Sequence, residues 1–590
     1  MDRKEKIIQE LQRIVRELTN EDIKVELSIP KDDIHGDYTS NVALRLAKIL
    51  GKNPLEIAKD IAEKIMLVQS QLEIEKTEAV APGFINFYLS KEALIKSAEE
   101  ILENPEKAGT SASLKNKKAV VEYSSPNIAK PFTIGHLRST IIGDAIANLL
   151  EAIGYTVYRD NHLGDWGTQF GKQIYAIKHW GDEKQLDAME NPVKELVLLY
   201  VKFHKEAEKH PEIEDEARLW FKKLEDGDTE ARRLWQKCIA WSWKEFSHIY
   251  NMLGVRFSEN NGKGYGESYF EDKMQPVIDE LQQKQLLKED KGARLVFFPH
   301  DAFPPLMIMK KDGATLYATR DLATDKFRLQ HYGKDILVIN EVGSEQSLYF
   351  KQLFALEELL GWYKKGQRIH VGHGLFKFKE GKMSTRKGNT IWLEDVLKEA
   401  IDRAFTFGRD DWNSTNHSQS YADEHIKGSS ETQKIAEQVG IGALKWNDLK
   451  RNPLHDIIFN WDEVLNMQGN AGPYVQYVYT RTQSLLEKAR ANTFSFPANY
   501  SPNTDEMRLL SHIQKFAEIV QDAALSYSPN VVTEYLFTLC QLFNNFYQKY
   551  RILNAATEEE KQFRLALTAS IGIVIKQGLY LLGIHAPEKM

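Results

Sequence analysis

The chain of 590 residues is too long for a single hydrophobic core, and with 42% hydrophobic and 27% charged residues it is not a disordered protein. Its two cysteines, Cys238 and Cys540, exclude a disulfide framework or a cysteine-rich zinc site and fit a reducing compartment. The net charge of −7 neither predicts nor excludes binding to nucleic acid, because basic residues can still gather on one face.

The N-terminal residues are charged and amphipathic, and they lack the apolar core of a signal peptide. The sequence contains no run of about 18 apolar residues, so we predict no membrane span. We therefore predict a cytoplasmic protein that has no membrane partner.

Residues 1–110 are predicted to form a small α/β domain. The pattern predicts helices over 4–18 and 42–50, a strand over 23–29, and a further helix that opens at Pro54, where the missing N–H costs nothing. The alternating residues 80–89 predict a strand that closes the domain.

The stretch from 119 to 159 organises the rest of the chain, because its pattern is strand, loop, helix and strand. Apolar residues recur every four positions at Leu137, Ile141, Ala145 and Leu149. The helix that they predict ends at Gly154. In such a βαβ unit, the loop and the helix N-terminus lie at the carboxyl edge of a parallel sheet, where ligands bind. A helix N-terminus attracts phosphate, and Lys130, Gly135 and His136 lie there.

Further polar residues follow other predicted strands. Residues 161–169 follow the second strand, and residues 336–340 predict another buried strand. Residues 316–323 predict a strand that runs into a helix, where Tyr317 and Asp321 lie four positions apart and so on one helix face. Because the carboxyl ends of parallel strands share one edge, we expect these side chains to line one crevice.

A basic segment, GKMSTRKGN, occupies residues 381–389. A hydrophobic hairpin is predicted before it, over 369–378, and a helix after it, from Trp392. A basic loop beside the crevice can cover a triphosphate and neutralise charge as pyrophosphate departs. The alternative is a basic surface loop without a ligand.

From about residue 455 the chain is predicted to be helical. Residues 470–481 carry aromatic and cationic side chains at helical spacing, among them Tyr474 and Arg481. Bases stack on such rings, and arginine binds phosphate. The alternative is a tyrosine-rich core helix.

Three of these segments carry a resemblance to a known family. SSPNIAKPFTIGHLRST (124–140), NHLGDWGTQFG (161–171) and KMSTR (382–386) resemble motifs of the class I aminoacyl-tRNA synthetases, and more narrowly of the arginyl-tRNA synthetases. Two positions depart from the family pattern. Thr133 replaces the first histidine of the HxGH signature, and Thr385 replaces the second lysine of KMSKS. We interpret Thr133 as a residue that still donates a hydrogen bond to a phosphate oxygen; the alternative is weakened activation.

The resemblance implies a multidomain α/β + α fold. It comprises a small N-terminal α/β domain that contacts the tRNA D-loop (1–110) and a Rossmann-type parallel-sheet catalytic domain (111–410). An insertion at about 175–310 interrupts the catalytic domain. A connecting helical segment that contacts the tRNA stem (411–454) and a C-terminal all-α anticodon-binding bundle (455–590) follow.

The resemblance also implies roles for individual residues. Catalytic roles fall on Lys130, Thr133, His136 and Lys382. Arginine binding falls on Glu122, Ser124, Asn127, His162, Tyr317, Asp321 and Gln346. ATP binding falls on Gly135, His136, Gly343, Gln346, His373, Gly374, Lys382, Met383 and Ser384. Contacts with tRNA fall on Phe84, Asn86, Tyr474, Gln476, Arg481 and Met590.

Glu122, Phe84 and Asn86 also have structural alternatives, and Asp165 is given a structural role alone. Glu122 lies in an apolar strand, where a carboxylate is costly unless it has a partner; the alternative is an exposed strand end. Phe84 can stack on a splayed base and Asn86 can read its edge, whereas the alternative is a core phenylalanine and a capped turn. Asp165 is interpreted as the cap of a turn.

The implied reaction joins L-arginine to ATP, supplied as its Mg²⁺ complex, and forms arginyl adenylate. The arginyl group then passes to the terminal adenosine of tRNA(Arg), and AMP and pyrophosphate are released. Members of the family generally need bound tRNA for the first step. A monomer without a structural metal is expected.

Two rival readings remain. Another class I synthetase would need zinc-ligand cysteines, as in a cysteinyl enzyme, or a longer editing insertion, as in a valyl or isoleucyl enzyme. The second rival is a catalytically silent RNA-binding paralogue, which Thr133 and Thr385 favour.

Overall fold

The computed structural model describes residues 3–30, 32–311, 315–378, 391–415, 430–491 and 493–590. The N-terminal unit consists of α1 (Arg3–Thr19), β1 (Tyr38–Ser40), α2 (Val42–Leu50), α3 (Pro54–Met66), β2 (Ile74–Val80), β3 (Phe84–Leu89) and α4 (Lys91–Glu103). Its three strands form an antiparallel sheet in the order β1-β3-β2. The strand predicted over 23–29 is wrong: this described segment makes only one bridge, between Ser28 and Thr39, because β1 offers it just three residues.

The central part of the chain holds a parallel sheet and a long helical insertion. Its elements are β4 (Lys118–Glu122), α5 (Ile134–Ala152), β5 (Thr156–Asp160), α6 (Gln169–Trp180), α7 (Glu183–Ala188), α8 (Pro192–Ala207), α9 (Glu212–Glu225), α10 (Thr229–Leu253), α11 (Met274–Gln283), β6 (Leu287–Asp290), β7 (Ala293–Val296), β8 (Leu306–Met309), α12 (Tyr317–Tyr332), β9 (Leu337–Gly343), α13 (Ser347–Leu360), β10 (Arg368–His373), β11 (Phe376–Phe378) and α14 (Leu393–Thr415).

The parallel sheet has the strand order β10-β9-β4-β5, and α5 crosses from β4 to β5. This arrangement confirms the predicted βαβ unit and places four strand ends at one edge. The apolar stripe predicted for α5 is buried throughout. Because α5 lies between the sheet and the helices α14, α15 and α21, it buries polar residues as well, such as Arg138 and Asp144.

The hairpin predicted over 369–378 is wrong. β10 belongs to the main sheet, whereas β11 pairs with β12 of the next segment in a separate two-stranded parallel sheet. The chain changes direction at Gly374, whose N–H donates to the Pro453 carbonyl at 2.9 Å. A Cβ at this glycine would lie 2.7–2.8 Å from His455 and Asp456, so only glycine allows this close approach.

The C-terminal part is a helical bundle apart from one short strand. Its elements are α15 (Ser430–Leu449), β12 (Ile457–Phe459), α16 (Trp461–Val464), α17 (Gly472–Ala489), α18 (Thr504–Gln514), α19 (Phe516–Leu525), α20 (Asn530–Lys549) and α21 (Glu558–Leu581). Across the described ranges, no helix is both long enough and apolar enough to cross a membrane.

The N-terminal unit packs against this bundle. The Tyr38 hydroxyl donates to Glu518 on α19 at 2.5 Å, and the Lys4 ammonium lies 2.6 Å from the same carboxylate. The Ser511 hydroxyl on α18 donates to Asp37. The segment around Asp37 and Tyr38 therefore connects the N-terminal unit to α18 and α19 of the C-terminal bundle.

Candidate active site

Glu122 closes β4 at the carboxyl edge of the parallel sheet, and only 7% of the residue is exposed. The Arg328 guanidinium on α12 forms an ion pair with Glu122 and lies 2.8 Å from the carboxylate of Asp160 at the end of β5. Burial opposes ionisation of Glu122, but the charges of Arg328 and His162 outweigh it, so the pKa of Glu122 lies below its usual value. Glu122 is thus a buried, paired carboxylate and not an exposed strand end.

Sequence reasoning misses Arg328, which joins α12 to the sheet. Its guanidinium also lies 3.2 Å from Asp325, and Asp325 lies 2.7 Å from Arg368 at the start of β10. Asp321, Asp325 and Arg328 recur at the spacing of one helix face. This polar stripe is the signal that could have revealed the network, which sets α12 against the strand ends.

Asp321 and Tyr317 lie near the N-terminus of α12 and both contact Tyr349 on α13. The Tyr349 hydroxyl donates to Asp321, and its ring centroid lies 4.8 Å from that of Tyr317, which is 58% exposed. His162 Nε2 lies 3.9 Å from the Asp321 carboxylate, and its Nδ1 lies 3.0 Å from the Tyr265 carbonyl. Burial raises the pKa of Asp321 to about 6, although His162 and Tyr349 favour the ionised form. The predicted spacing therefore brings a carboxylate and an accessible ring together.

Glu267 is a second carboxylate beside this pocket, although sequence reasoning assigned no chemistry to residues 264–268. The Arg320 guanidinium lies 3.3 Å from it. Burial raises the pKa of Glu267, whereas the nearby charges of His162, Arg320 and Lys130 oppose this rise. No strong sequence signal marks Glu267, because a lone acidic residue after two glycines is common in loops.

Asp165 anchors the segment that carries Glu267. It accepts two hydrogen bonds of 2.7 Å from Ser268, one from the backbone N–H and one from the hydroxyl. The Trp235 indole donates to the Asp165 carbonyl at 2.8 Å. These contacts agree with the interpretation of Asp165 as a structural residue.

The two serines of the signature loop face different surroundings. The Ser124 hydroxyl lies 2.8 Å from both Thr140 and Tyr250 inside the protein. The Ser125 hydroxyl is buried and has no hydrogen-bond partner within the described part of the chain. Asn127 is exposed and forms a bridge with Gly164, the glycine two residues after His162. Ser125, which was not predicted, is therefore better placed than Ser124 to meet a ligand.

The N-terminus of α5 carries the predicted phosphate-binding residues. The Thr133 N–H donates to His136 Nδ1 at 3.0 Å, and the Thr133 hydroxyl lies 3.1 Å from the same atom. Burial and the charge of His373 lower the pKa of His136, and the hydrogen bond to Thr133 only partly opposes this. The neutral ring that accepts at Nδ1 carries its proton on Nε2. Gly135 and Lys130 are exposed beside it.

The strand ends of β9 and β10 hold the predicted adenosine contacts. Gly343 is buried, whereas Gln346 is exposed at the start of α13. His373 Nδ1 lies 2.8 Å from the Glu341 carboxylate. Gly374 packs on residues 453–456, so its lack of a side chain serves the fold. Lys382, Met383 and Ser384 lie outside the described residues.

The two residues of the N-terminal unit that were predicted to contact tRNA, Phe84 and Asn86, differ in their exposure to solvent. Phe84 is 37% exposed at the start of β3. Asn86 is buried, and its Oδ1 accepts a hydrogen bond of 2.7 Å from the Thr39 hydroxyl across the sheet. The structure therefore leaves Phe84 accessible and commits Asn86 to the sheet, because Asn86 lies opposite Thr39 of β1, whereas the pairing of β3 with β1 ends at Ile85.

The predicted tRNA contacts on α17 also differ: Arg481 and Tyr474 lie on one surface, whereas Gln476 is buried. Arg481 lies between the rings of Tyr477 and Tyr547, 4.8 Å from each centroid. Tyr474 is half-buried and accepts a hydrogen bond of 2.9 Å from Asn544. These residues define the α17–α20 aromatic surface: Tyr474, Tyr477, Arg481, Asn544 and Tyr547.

Gln476 does not belong to that surface. It is fully buried, and its amide donates to the carbonyls of Gln438 at 3.0 Å and His585 at 2.7 Å. Gln476 therefore holds the C-terminal segment against α17 instead of facing solvent. Met590, at the end of that segment, is half-exposed.

Comparisons with known proteins agree along the whole chain. The family profile described as "tRNA synthetases class I (R), catalytic domain" matches residues 97–461. The profiles "Arginyl tRNA synthetase N terminal domain" and "DALR anticodon binding domain" match residues 2–89 and 475–590.

Full-length relatives and solved structures are similar as well. The chain is 42% identical to "Arginine--tRNA ligase" of Enterococcus faecalis over 100% of both chains, and 41% identical to that of Clostridioides difficile over 98% of both. The arginyl-tRNA synthetase structure from Plasmodium falciparum has a TM-score of 0.81 at 25% identity and is covered to 99%, with 100% of this chain aligned. That from Thermus thermophilus, at 24% identity with both chains covered to 100%, shows the same fold with a TM-score of 0.79. The chain therefore belongs to the arginyl-tRNA synthetase family.

Proposed function

We propose that this chain activates L-arginine with ATP and transfers the arginyl group to tRNA(Arg). In the first step an oxygen of the arginine carboxylate attacks the α-phosphorus, the bond to the bridging oxygen breaks, and pyrophosphate leaves. In the second step the terminal 2′-hydroxyl attacks the carbonyl carbon, the bond from that carbon to the adenylate phosphate oxygen breaks, and AMP leaves while its phosphate or water takes up the hydroxyl proton. The observation that carries the proposal is the pair of partly buried carboxylates, Asp321 and Glu267, which both lie near His162 at the carboxyl edge of the parallel sheet.

The guanidinium of arginine would bind the pocket of Asp321 and Glu267. A guanidinium presents five N–H donors in a plane, and a carboxylate accepts two of them at once. Tyr317 adds an exposed ring on which the planar group can stack. His162, held by Tyr265 and 3.9 Å from Asp321, fixes one wall.

The α-amino and carboxylate groups of arginine would then reach the signature loop. Glu122 binds Arg328 through Oε2, which leaves Oε1 for an ammonium group. Ser125 and Asn127 lie on the loop that follows, and they supply a hydroxyl and an amide for the carboxylate. In this assignment Ser125 takes the role predicted for Ser124, whose hydroxyl is already used inside the protein. Gln346, exposed at the neighbouring strand end, completes this side.

ATP would lie along the strand ends with its phosphates at the N-terminus of α5. His136 donates from Nε2, Lys130 adds a positive charge, and Gly135 lets the phosphates approach the backbone. Lys382, Met383 and Ser384 of the basic loop retain the phosphate contacts proposed from the sequence. Mg²⁺ would enter with ATP, since phosphate oxygens and water are its usual ligands. The activation step needs no general base, because the arginine carboxylate that attacks ATP is already ionised.

Two surfaces would bind the tRNA. Phe84 offers an exposed ring on the N-terminal unit. The α17–α20 aromatic surface combines three tyrosine rings with the Arg481 cation, which suits unstacked bases and their phosphates. Met590 lies at the end of the segment that packs on α17. The domain boundaries given above, a monomeric state and a cytoplasmic location complete the proposal.

The test is exchange of labelled pyrophosphate into ATP, measured with and without tRNA(Arg). We expect exchange that requires arginine and that tRNA(Arg) supports. Lysine is the matched amino-acid control, because its ammonium is a point charge that cannot form paired hydrogen bonds with a carboxylate. A protein that binds tRNA(Arg) but shows exchange in neither condition would be the silent RNA-binding paralogue.

A further inference from the structure

His373 and Glu341 form a buried pair at the nucleotide side of the sheet. His373 is the last residue of β10, and its Nδ1 lies 2.8 Å from Glu341 Oε1 on the neighbouring strand β9. The Glu341 side chain is fully buried, whereas 15% of the His373 side chain is exposed. Among the described residues, the hydrogen bond to Glu341 is the only one that the imidazole makes, so Nε2 is left for another acceptor.

The first turns of α5 hold this pair in place. The Arg138 guanidinium donates to the Gly374 carbonyl at 2.8 Å, directly after His373. The Ser139 hydroxyl donates to the Glu341 carbonyl at 3.1 Å. These two residues follow His136 by two and three positions. The imidazole of His373 therefore lies beside the helix N-terminus that carries the phosphate-binding residues.

The charged groups around His373 come from four elements. Glu341 on β9 and Asp448 on α15 favour its protonation, whereas Arg138 on α5 opposes it. Two other histidines lie near His373, namely His136 on α5 and His370 on β10. Their pKa values are lowered mainly by their own burial and further by the charge of His373.

Burial also opposes protonation of His373, but the carboxylate of Glu341 outweighs it, and the pKa of His373 lies above its usual value. Arg138 and Asp448 lie 3.1 Å apart, so their charges largely offset each other. The site thus combines His136, whose pKa lies below its usual value, with His373, whose pKa lies above it.

We propose that Glu341 is a positioning residue that keeps His373 protonated, so that His373 donates from Nε2 to a phosphate oxygen of ATP. The proposal rests on the proposed function, because it adds Glu341 to the same nucleotide site and assigns a charge and a phosphate contact to His373, which the sequence already places there. Thr133 lies beside this contact, with its hydroxyl 3.1 Å from His136 Nδ1. A fixed cation beside the phosphates stabilises the charge that develops as pyrophosphate leaves.

Two variants test the pair, Glu341→Gln and His373→Gln. Because a hydrogen bond to a charged group contributes about 1.5–3 kcal/mol, we expect His373→Gln to weaken ATP binding about ten- to a hundredfold. Equilibrium dialysis with ATP and Mg²⁺ measures this without arginine or tRNA. His370→Gln is the matched control, because His370 lies on the same strand and its Nε2 donates to the Val342 carbonyl, 3.0 Å away.

The pH dependence separates a charge effect from a structural one. The charge of His373 is present below its pKa and lost as pH rises through it. Glu341→Gln removes the main cause of the raised pKa, so ATP binding should be weak at pH 7.5 and should recover towards pH 6. In the wild type, the loss of ATP affinity should begin at a higher pH than in Glu341→Gln.

Equal ATP affinity in the wild type and both variants, or a loss in Glu341→Gln that does not depend on pH, would overturn the proposal. A wild type that binds ATP but shows no arginine-dependent exchange would instead contradict the proposed function alone.

Discussion

Replacement of Asp321 by asparagine removes one charge from the candidate arginine pocket and preserves the shape of the side chain. The Tyr349 hydroxyl can still donate to the remaining amide oxygen, so α12 and α13 should stay in contact. The substrate guanidinium would lose its best-placed acceptor, while Glu267 remains as the second carboxylate.

The structure sets the size of the effect. Removal of one partner of a buried ion pair costs about 3–5 kcal/mol. The Asp321 side chain is 27% exposed and is not the only carboxylate in the pocket, so we expect a value near the lower limit. At about 1.4 kcal/mol per tenfold change, ~3 kcal/mol raises the KM for arginine by about a hundredfold. The loss should fall on KM and leave kcat nearly unchanged, because the guanidinium is remote from the reacting carboxylate.

Pyrophosphate exchange at saturating ATP and tRNA(Arg) measures both constants. Asp335→Asn is the matched control, since Asp335 lies exposed beyond the end of α12. Burial raises the pKa of Asp321 to about 6, so the KM of the wild type should rise as pH falls below about 6 and the carboxylate becomes protonated. An unchanged KM in Asp321→Asn at pH 7.5 would refute the placement of the guanidinium.

Four further predictions follow from individual side chains. Ser125→Ala should raise the KM for arginine about tenfold, whereas Ser124→Ala should lower the free energy of unfolding by about 1–3 kcal/mol, because its hydroxyl has two buried partners; equal effects in both assays would contradict the distinction. Arg328→Met should cost about 3–5 kcal/mol in urea unfolding, since it leaves two buried carboxylates without their cation. Burial raises the pKa of Glu245 to about 8, so its contribution to stability is present below its unfolded value of about 4.5 and is lost as pH rises through about 8. Glu245→Gln should therefore raise Tm at pH 9 but not at pH 5. Arg481→Ala should raise the KM for tRNA(Arg) about tenfold and leave the KM for arginine unchanged; a change in both would place Arg481 in a structural role.

The sequence predicts the βαβ unit of the parallel sheet well because its signals are local, whereas it wrongly places β10 in a hairpin. The apolar period of α5 and the β-branched strand before it define a βαβ unit. The spacing of Tyr317 and Asp321 likewise predicts a shared face, since both lie within two turns of one helix. The apolar period of α5 likewise predicts where the signature loop ends and the helix begins.

Partners that are distant in sequence could not be predicted. Glu122 and Arg328 are 206 positions apart, and nothing in either segment names the other. The neighbouring serines of the signature loop are chemically identical, so only the backbone decides which hydroxyl faces inward. Both serines have a positive φ, 73° at Ser124 and 44° at Ser125, and in this backbone the Ser124 hydroxyl lies 2.8 Å from Thr140.

The buried amides Asn86 and Gln476 show a related limit. Asn86 lies in an alternating strand, where its face depends on the pairing with Thr39. Gln476 lies on a helix whose outer face is covered by the C-terminal segment, more than a hundred positions away. In both cases a tertiary contact buries an amide that could otherwise bind a base, and the amide stabilises the fold instead.

The departure at Thr133 now has a structural interpretation. Its N–H and hydroxyl both contact Nδ1 of His136, so the residue orients the signature histidine at the N-terminus of α5. The proposed charge of His373 supplies a second imidazole at the same edge. Loss of the first signature histidine is therefore compatible with activation of arginine.

The most direct measurement is the charging of unfractionated tRNA with each of the twenty amino acids in turn, followed by sequencing of the tRNAs that are protected from periodate oxidation. We expect that arginine alone is attached and that the protected molecules are tRNA(Arg). Attachment of another amino acid would contradict the pocket assigned around Asp321. Absence of any attachment by a protein that binds tRNA(Arg) would contradict the enzymatic function itself.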